Sequence, residues 1–478
     1  MRAPDLTIRV EPFESRKVVY LPLAPQTKNH FPKGRLLLRL SITNNEAHKV
    51  RMGDLKLSFI GPPLVSSVTI PFQYISVDPD NVEVIDDVVI GSKATKVWSF
   101  QRPDQDVILP FPAPGTIKIS VSCHDFDTPV DMTLPLAAHT SPTPDGSYLF
   151  PARASDLRPH EYWRTGGATH SIGAEGSQIF GYDMGVIRVE SDPEAGWELE
   201  LLSPSTVDYK NLQNADFRIW SKPIYAMADG CVRQVENNIP SNPVPLTGKE
   251  EGPALEALKT QQIDIWKNFQ YGGAGNHYYI QHGDELMLYA HMQPGTLPFS
   301  KDAPVRAGDF LGLAGNSGNS GHPHLHIHAV QGVSPESGPL RPIPFRDAHV
   351  ISSAAFPGNP WAKMQNQGIP AVLSMIWPAA DPPFNFVAAD LDKWAAIVRI
   401  LFGVVSDGDG LVITPGGKPI PIDPWWPLHL SPAKRDILVG LALTEFASLA
   451  SSAESRDAIQ KAGLDTMTNA LSQLQKQV

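Results

Sequence analysis

His322-Pro-His-Leu-His-Ile-His328 decides the reading of this chain. Leu325 and Ile327 alternate with His324, His326 and His328. That is the period-2 pattern of a strand, with three imidazoles on one face and two aliphatic side chains on the other. Neutral imidazole is the commonest biological metal ligand. Two histidines two residues apart can give one site both a ligand and a proton-transfer group. The bland alternative is a polar strand face or a flexible His-rich tract. The preceding segment, Gly308-Asp-Phe-Leu-Gly-Leu-Ala-Gly-Asn-Ser-Gly-Asn-Ser-Gly321, weighs against it. There a short apolar strand, Phe310 to Ala314, enters a turn of small residues and feeds directly into the histidines.

Further upstream, Gly275-Asn-His-Tyr-Tyr-Ile-Gln-His282 and Leu288-Tyr-Ala-His291-Met read as two strands joined at Gly283-Asp284. Lys222-Pro-Ile-Tyr-Ala-Met-Ala-Asp-Gly-Cys-Val232 reads as strand, Asp-Gly turn and strand. In this order the segments resemble the M23 family of zinc metallopeptidases, of the lysostaphin and LytM type. The elements that carry the resemblance are Pro223 to Val232, Gly275 to His291, and Gly312 to His328, within residues 150–345. It implies a central antiparallel-β peptidase domain, a bound Zn2+, and hydrolysis of peptide bonds in peptidoglycan stem peptides or cross-bridges.

The resemblance also implies site residues. Asp183 and His326 are the expected metal ligands; His291, in Tyr-Ala-His, and His324, first of His-Leu-His, are the expected catalytic pair. The family's first metal motif is His-x-x-x-Asp, and here the chain departs from it. Ile179 stands four residues before Asp183, and Gln178 is one residue out of phase. Similar members with a Gln-x-Phe-x-x-Asp motif carry an upstream histidine, which makes His170 the expected third ligand. The alternative is a site lacking one ligand, in a non-catalytic domain that binds or activates another hydrolase. A hydrolytic zinc needs this type of set, three N and O donors with a fourth position left for water. Of the other histidines, His282 reads as a turn residue or one behind the ligands. His277 reads as groove lining or packing, and His328 as a residue behind the ligand pair. His30, His48, His124, His139, His160, His349 and His429 carry no partner signal.

The 478 residues hold about three domains' worth of chain. A net charge of −11 argues against a nucleic-acid partner, which would need clustered Lys and Arg. Cys123 and Cys231 fall in different expected domains and have no metal-type spacing. No membrane span is expected, since Ala395 to Val405 is too short and contains Arg399. No secretion signal opens the chain, while a cell-wall substrate would require export to the periplasm or the extracellular space. A third class, a carrier or phosphotransfer relative, has no lipoyl-type Lys motif behind it.

The fold class expected is mainly β. Residues 1–140 show many short candidate strands separated by turn signals, among them Leu6–Glu11, Arg35–Thr43 and Thr116–Cys123, and suggest an immunoglobulin-like sandwich with an accessory or packing role. The peptidase domain spans 150–345, a Pro-rich linker 346–385, and a helical region 386–478. In that last region Ala388–Val405 has helical spacing, Ser431-Pro opens a second helix, and a third begins near Ser455. Asp407-Gly-Asp-Gly410 echoes part of a calcium loop but lacks the closing Glu, and reads as a turn.

Overall fold

The structure is a computed structural model. It describes residues 2–24, 34–36, 38–61, 64–72, 88–99, 107–109, 115–165, 180–189, 200–202, 211–246, 252–335, 339–352, 361–369, 374–384, 388–390, 392–393, 395–397, 411–413, 419–421, 432–448, 450 and 452–475. Its elements are mainly strands, as expected.

In the N-terminal module, the strands Leu6–Glu11 and Thr116–Cys123 have the expected bounds. Arg35–Thr43, expected as one strand, is two: Gly34–Leu36 and Arg39–Asn44. Alternation builds the core. Ile117, Ile119 and Val121 turn inward from the larger sheet and meet Ile8, Val10, Leu40 and Ile42 of a three-stranded sheet. The arrangement is not wholly antiparallel, because Val130–Ala138 runs parallel to Lys17–Pro22.

The central sheet has twelve strands. The histidine strand, Leu325–Gln331, lies in its middle, between Tyr182–Arg188 and Glu285–Met292, antiparallel to both. Asn276–His282 and Gly230–Glu236 continue the sheet on one side; Glu161–Thr165, Ser374–Trp377 and Phe345–Ser352 continue it on the other. Residues 346–385, expected as a linker, therefore carry sheet strands, including Ala362–Gln367. Of its prolines, Pro378, Pro382 and Pro383 follow the strand Ser374–Trp377, where no ladder donor is needed, so composition alone resembled a linker.

The C-terminal helices Pro432–Ala447 and Ala453–Gln475 pack on each other. Val439, Leu443 and Ile459 share a core with Tyr162, Ile187, Ile351 and Met375 of the central sheet. Pro432 opens its helix as expected, while Ser431 and Asp407–Gly410 lie outside the described residues. No helix among the described residues is long and apolar enough to cross a membrane.

The N-terminal module is tied to the central sheet at two places. Leu23 bridges to Gly368, and Phe180 joins the module's core. Beside this apolar seam lies a buried charge cluster. His139 Nδ1 is 3.0 Å from Glu14 Oε1, and its Nε2 is 2.9 Å from Glu285 Oε1. Neither oxygen lies along the ring N–H direction, so the contacts are ion pairs more than aligned hydrogen bonds. Arg341 Nε reaches Glu14 at 2.8 Å, the Tyr148 hydroxyl donates to Glu285 at 2.7 Å, and Asp284 also acts on Glu14. The two ring nitrogens face different carboxylates. One metal ion could take only one of them, whereas an imidazolium serves both.

Burial opposes charge on His139, but Glu14 and Glu285 outweigh it and lift its pKa from 6.5 to about 9. A folded pKa above the unfolded one stabilises fully below about pH 6.5, and that contribution is lost as pH rises through about 9. A shift of this size is worth on the order of 3 kcal/mol. His139→Gln should therefore lower Tm clearly near pH 6, with the gap narrowing by about pH 10. Melting curves across that range check it; an equal gap at both ends would refute the charged assignment.

Candidate functional site

The site follows from strand register. Asp183 on Tyr182–Arg188 stands directly opposite His326, and Ala290 stands opposite His326 on the other side. Directly opposed residues share a face with Cβ atoms about 4.5–5.5 Å apart. The Asp183 Oδ1 to His326 Nδ1 distance is 2.8 Å. Ala290 is small and leaves room over the pair. His324, two residues before His326, brings Nε2 to 3.4 Å from the same carboxylate oxygen. His328 lies behind, its Nδ1 2.8 Å from His326 Nε2.

His291 reaches this face by a local distortion. On a regular strand it would point away from Ala290 and so away from the histidine row. Its φ is +63°, and the facing strand shifts register between Asn276 and Tyr278. The distortion re-aims the side chain, as strand irregularities beside functional sites do. The His291 ring ends 4.6 Å from that of His324 and 6.0 Å from that of His326, centroid to centroid.

Backbone carbonyls orient both rings. His291 Nδ1 donates to Ser317 O at 2.8 Å, and His324 Nδ1 donates to His322 O at 2.8 Å, with Ser320 Oγ 3.2 Å away. Each ring is thereby fixed through Nδ1, and the Nε2 of His324 is turned towards Asp183. Burial, with the rings of His324 and His326 adjacent, holds His291 well below the usual imidazole range, so it is neutral at neutral pH. Burial also opposes charge on His324, but the Asp183 carboxylate raises its proton affinity.

Asp183 and His326 are the O and N donor types that a hydrolytic zinc takes, and they already converge. With His326 Nε2–H donating to His328, Nδ1 turns a lone pair to the Asp183 carboxylate; with the other tautomer, Nδ1–H donates to it at 2.8 Å. A proton there makes an ordinary Nδ1–H hydrogen bond to the carboxylate, and a cation could take the same place. The donor set therefore fits a cation. His170, Gln178 and Ile179 lie outside the described residues.

Glu200 has no motif to mark it. Glu200 is buried and ion-paired with Arg164, and its Oε2 is 3.8 Å from His322 Nε2. His322 stacks on Phe217 at 5.6 Å. Gly185, two residues after Asp183 and on its face, makes room for this carboxylate. A Cβ there would lie 2.8 Å from Glu200. A glycine inside a strand was the available sequence signal, since it marks close approach. His277 is fully buried, with Nδ1 2.7 Å from Gly275 O. His282 packs on the Asp229-Gly230 turn, with Nδ1 2.9 Å from Asp229 O, far along the sheet from Asp183.

Residues 249–336 match Peptidase family M23. Among solved structures, the chain is similar to a mutant catalytic domain of the prophage-encoded M23 protein EnpA from Enterococcus faecalis, at 17% identity. That match covers 39% of this chain and 91% of that one, with a TM-score of 0.21. It is similar to the catalytic domain of the antimicrobial peptidase lysostaphin from Staphylococcus simulans at 15% identity, covering 39% and 89%, with a TM-score of 0.20. It is also similar to a zinc containing peptidase from Vibrio cholerae at 13% identity, covering 64% and 82%, with a TM-score of 0.21. No curated protein matches.

The Gly185–Glu200 contact is open to a double-mutant cycle. Gly185→Ala should destabilise the fold by about 1–3 kcal/mol by crowding the carboxylate. In a Glu200→Ala background most of that cost should vanish, as expected for residues in contact. Denaturant melts of the four proteins measure the coupling; additive effects would mean that Glu200 does not lie against this strand.

Proposed function

We propose that the central domain of this chain, which belongs to peptidase family M23, is a zinc-dependent endopeptidase acting on peptidoglycan stem peptides or cross-bridges. The observation that carries the reading is the 2.8 Å convergence of Asp183 and His326, with His328 bonded behind the ligand ring. Asp183 and His326 would hold the metal, with His170 as third ligand. Zinc bound there would lower the pKa of its water towards 7 and polarise the scissile carbonyl.

The remaining work falls to His291 and His324. Both rings are pinned through Nδ1, which leaves Nε2 as the nitrogen that would meet the substrate. One takes the proton of the attacking water and returns it to the leaving amine. The other hydrogen-bonds the oxyanion as charge develops on the carbonyl oxygen. His328 fixes the orientation of the His326 ring, the part commonly played by a group behind a metal-bound histidine. A domain that binds cell wall without cutting it is the competing reading, and it needs the third ligand to be missing.

Metal analysis of the purified chain should find close to one zinc, and digestion of isolated peptidoglycan should release new amino groups. His326→Ala should lose most of the zinc, since two remaining ligands hold it poorly. His328→Ala should weaken zinc about 10–100-fold. His291→Ala and His324→Ala should keep zinc and lose about a hundredfold or more in rate. A parent that holds little zinc, binds peptidoglycan and releases nothing would establish the competing reading.

A further inference from the structure

Asn242 belongs to no motif noted above, yet it sits at the centre of the loops that orient His291 and His324. It is fully buried. Its Nδ2 faces Gly318 O at 3.0 Å, Ser320 O at 3.0 Å and Asn316 Oδ1 at 3.3 Å. Its backbone N–H donates to Asn316 O at 2.7 Å, and its own carbonyl accepts Asn214 Nδ2 at 2.8 Å. Asn316 Nδ2 closes the ring by donating to Asn214 Oδ1 at 2.8 Å. Ser241 pairs with Ser317 alongside. Three separate segments, around residues 214, 242 and 316–320, are thus fastened at one amide.

The loop held in this way is the one that orients the rings. Ser317 O accepts from His291, and Ser320 Oγ bonds His322 O and lies against His324 Nδ1. The loop cannot support itself by regular pairing. Gly318 has φ +77°, and a Cβ there would fall 2.3 Å from Gly275 N. Its carbonyls point inward and need donors. An asparagine amide supplies two N–H donors on a short side chain.

We propose that Asn242 is a positioning residue for the peptidase reaction. It holds the 316–320 loop so that Ser317 O and the Ser320–His322 turn fix the Nδ1–H tautomers of His291 and His324. The inference rests on the peptidase reading for its kinetic consequence, but not for its structural one.

Asn242→Asp keeps the shape and removes the donors, and Asn242→Ala removes the side chain. Each should lower kcat by about ten- to hundredfold with KM nearly unchanged, the scale on which small misplacements act. Nitrogen-15 spectra should show His291 in one Nδ1–H form in the parent and a tautomer mixture in both variants. Should these variants not fold, Asn214→Ala loosens the same ring from its rim and should produce a smaller change of the same kind. Folded variants with a parental kcat and a single unchanged His291 tautomer would overturn the proposal. A parent without hydrolytic activity would defeat the peptidase reading alone, because the tautomer shift is read without turnover.

Discussion

The register between Tyr182–Arg188 and Leu325–Gln331 is the constraint on which the site depends. Asp183 faces His326 only because Tyr182 pairs with Ile327 and Met184 with Leu325. Those four apolar side chains lie on the opposite face and are buried in the central core. A slip of one residue would carry them to the histidine face and the polar groups into the core. Each large apolar side chain left unburied costs about 1.5–3 kcal/mol. The core therefore sets the geometry of the polar pair, and no separate interaction is needed to bring carboxylate and imidazole together.

Register places two groups, but it cannot aim a ring. Aiming is done by carbonyls in an irregular loop and by one left-handed residue, His291. A non-glycine residue at positive φ costs on the order of 1 kcal/mol. Here it is held by a bond to Ser317 O and by burial of the ring. The regular part of the sheet thus fixes where the donors stand, and the distorted end of one strand fixes which nitrogen each ring offers.

The alternation in His324–His328 and the small-residue turn before it were legible because they are local. They predict a strand face of histidines, and the structure has one. Asp183 was reachable only through the family resemblance, since 143 residues separate it from His326. Alternation alone would have put His291 on the wrong face, because a bulge opposite Asn276–Tyr278 leaves no compositional mark. Asn242, Glu200 and His139 were invisible for another reason. Each acquires its role from partners far along the chain, and a lone Asn, Glu or His looks the same wherever it stands. The stretch 346–385 misled in the reverse sense, since prolines in strand connections resemble prolines in a linker.

The junction and the site also sit at opposite ends of one strand. Glu285 begins Glu285–Met292, and His291 nearly ends it. Six residues of strand span about 20 Å. Distance alone weakens the field of His139 at the cleft residues, so loss of its charge bears first on the junction end of the strand. The strand is antiparallel-paired on both sides and buried along its whole length. It resists bending, and so the module's attachment can loosen at one end while His291 and His324 keep their alignment at the other.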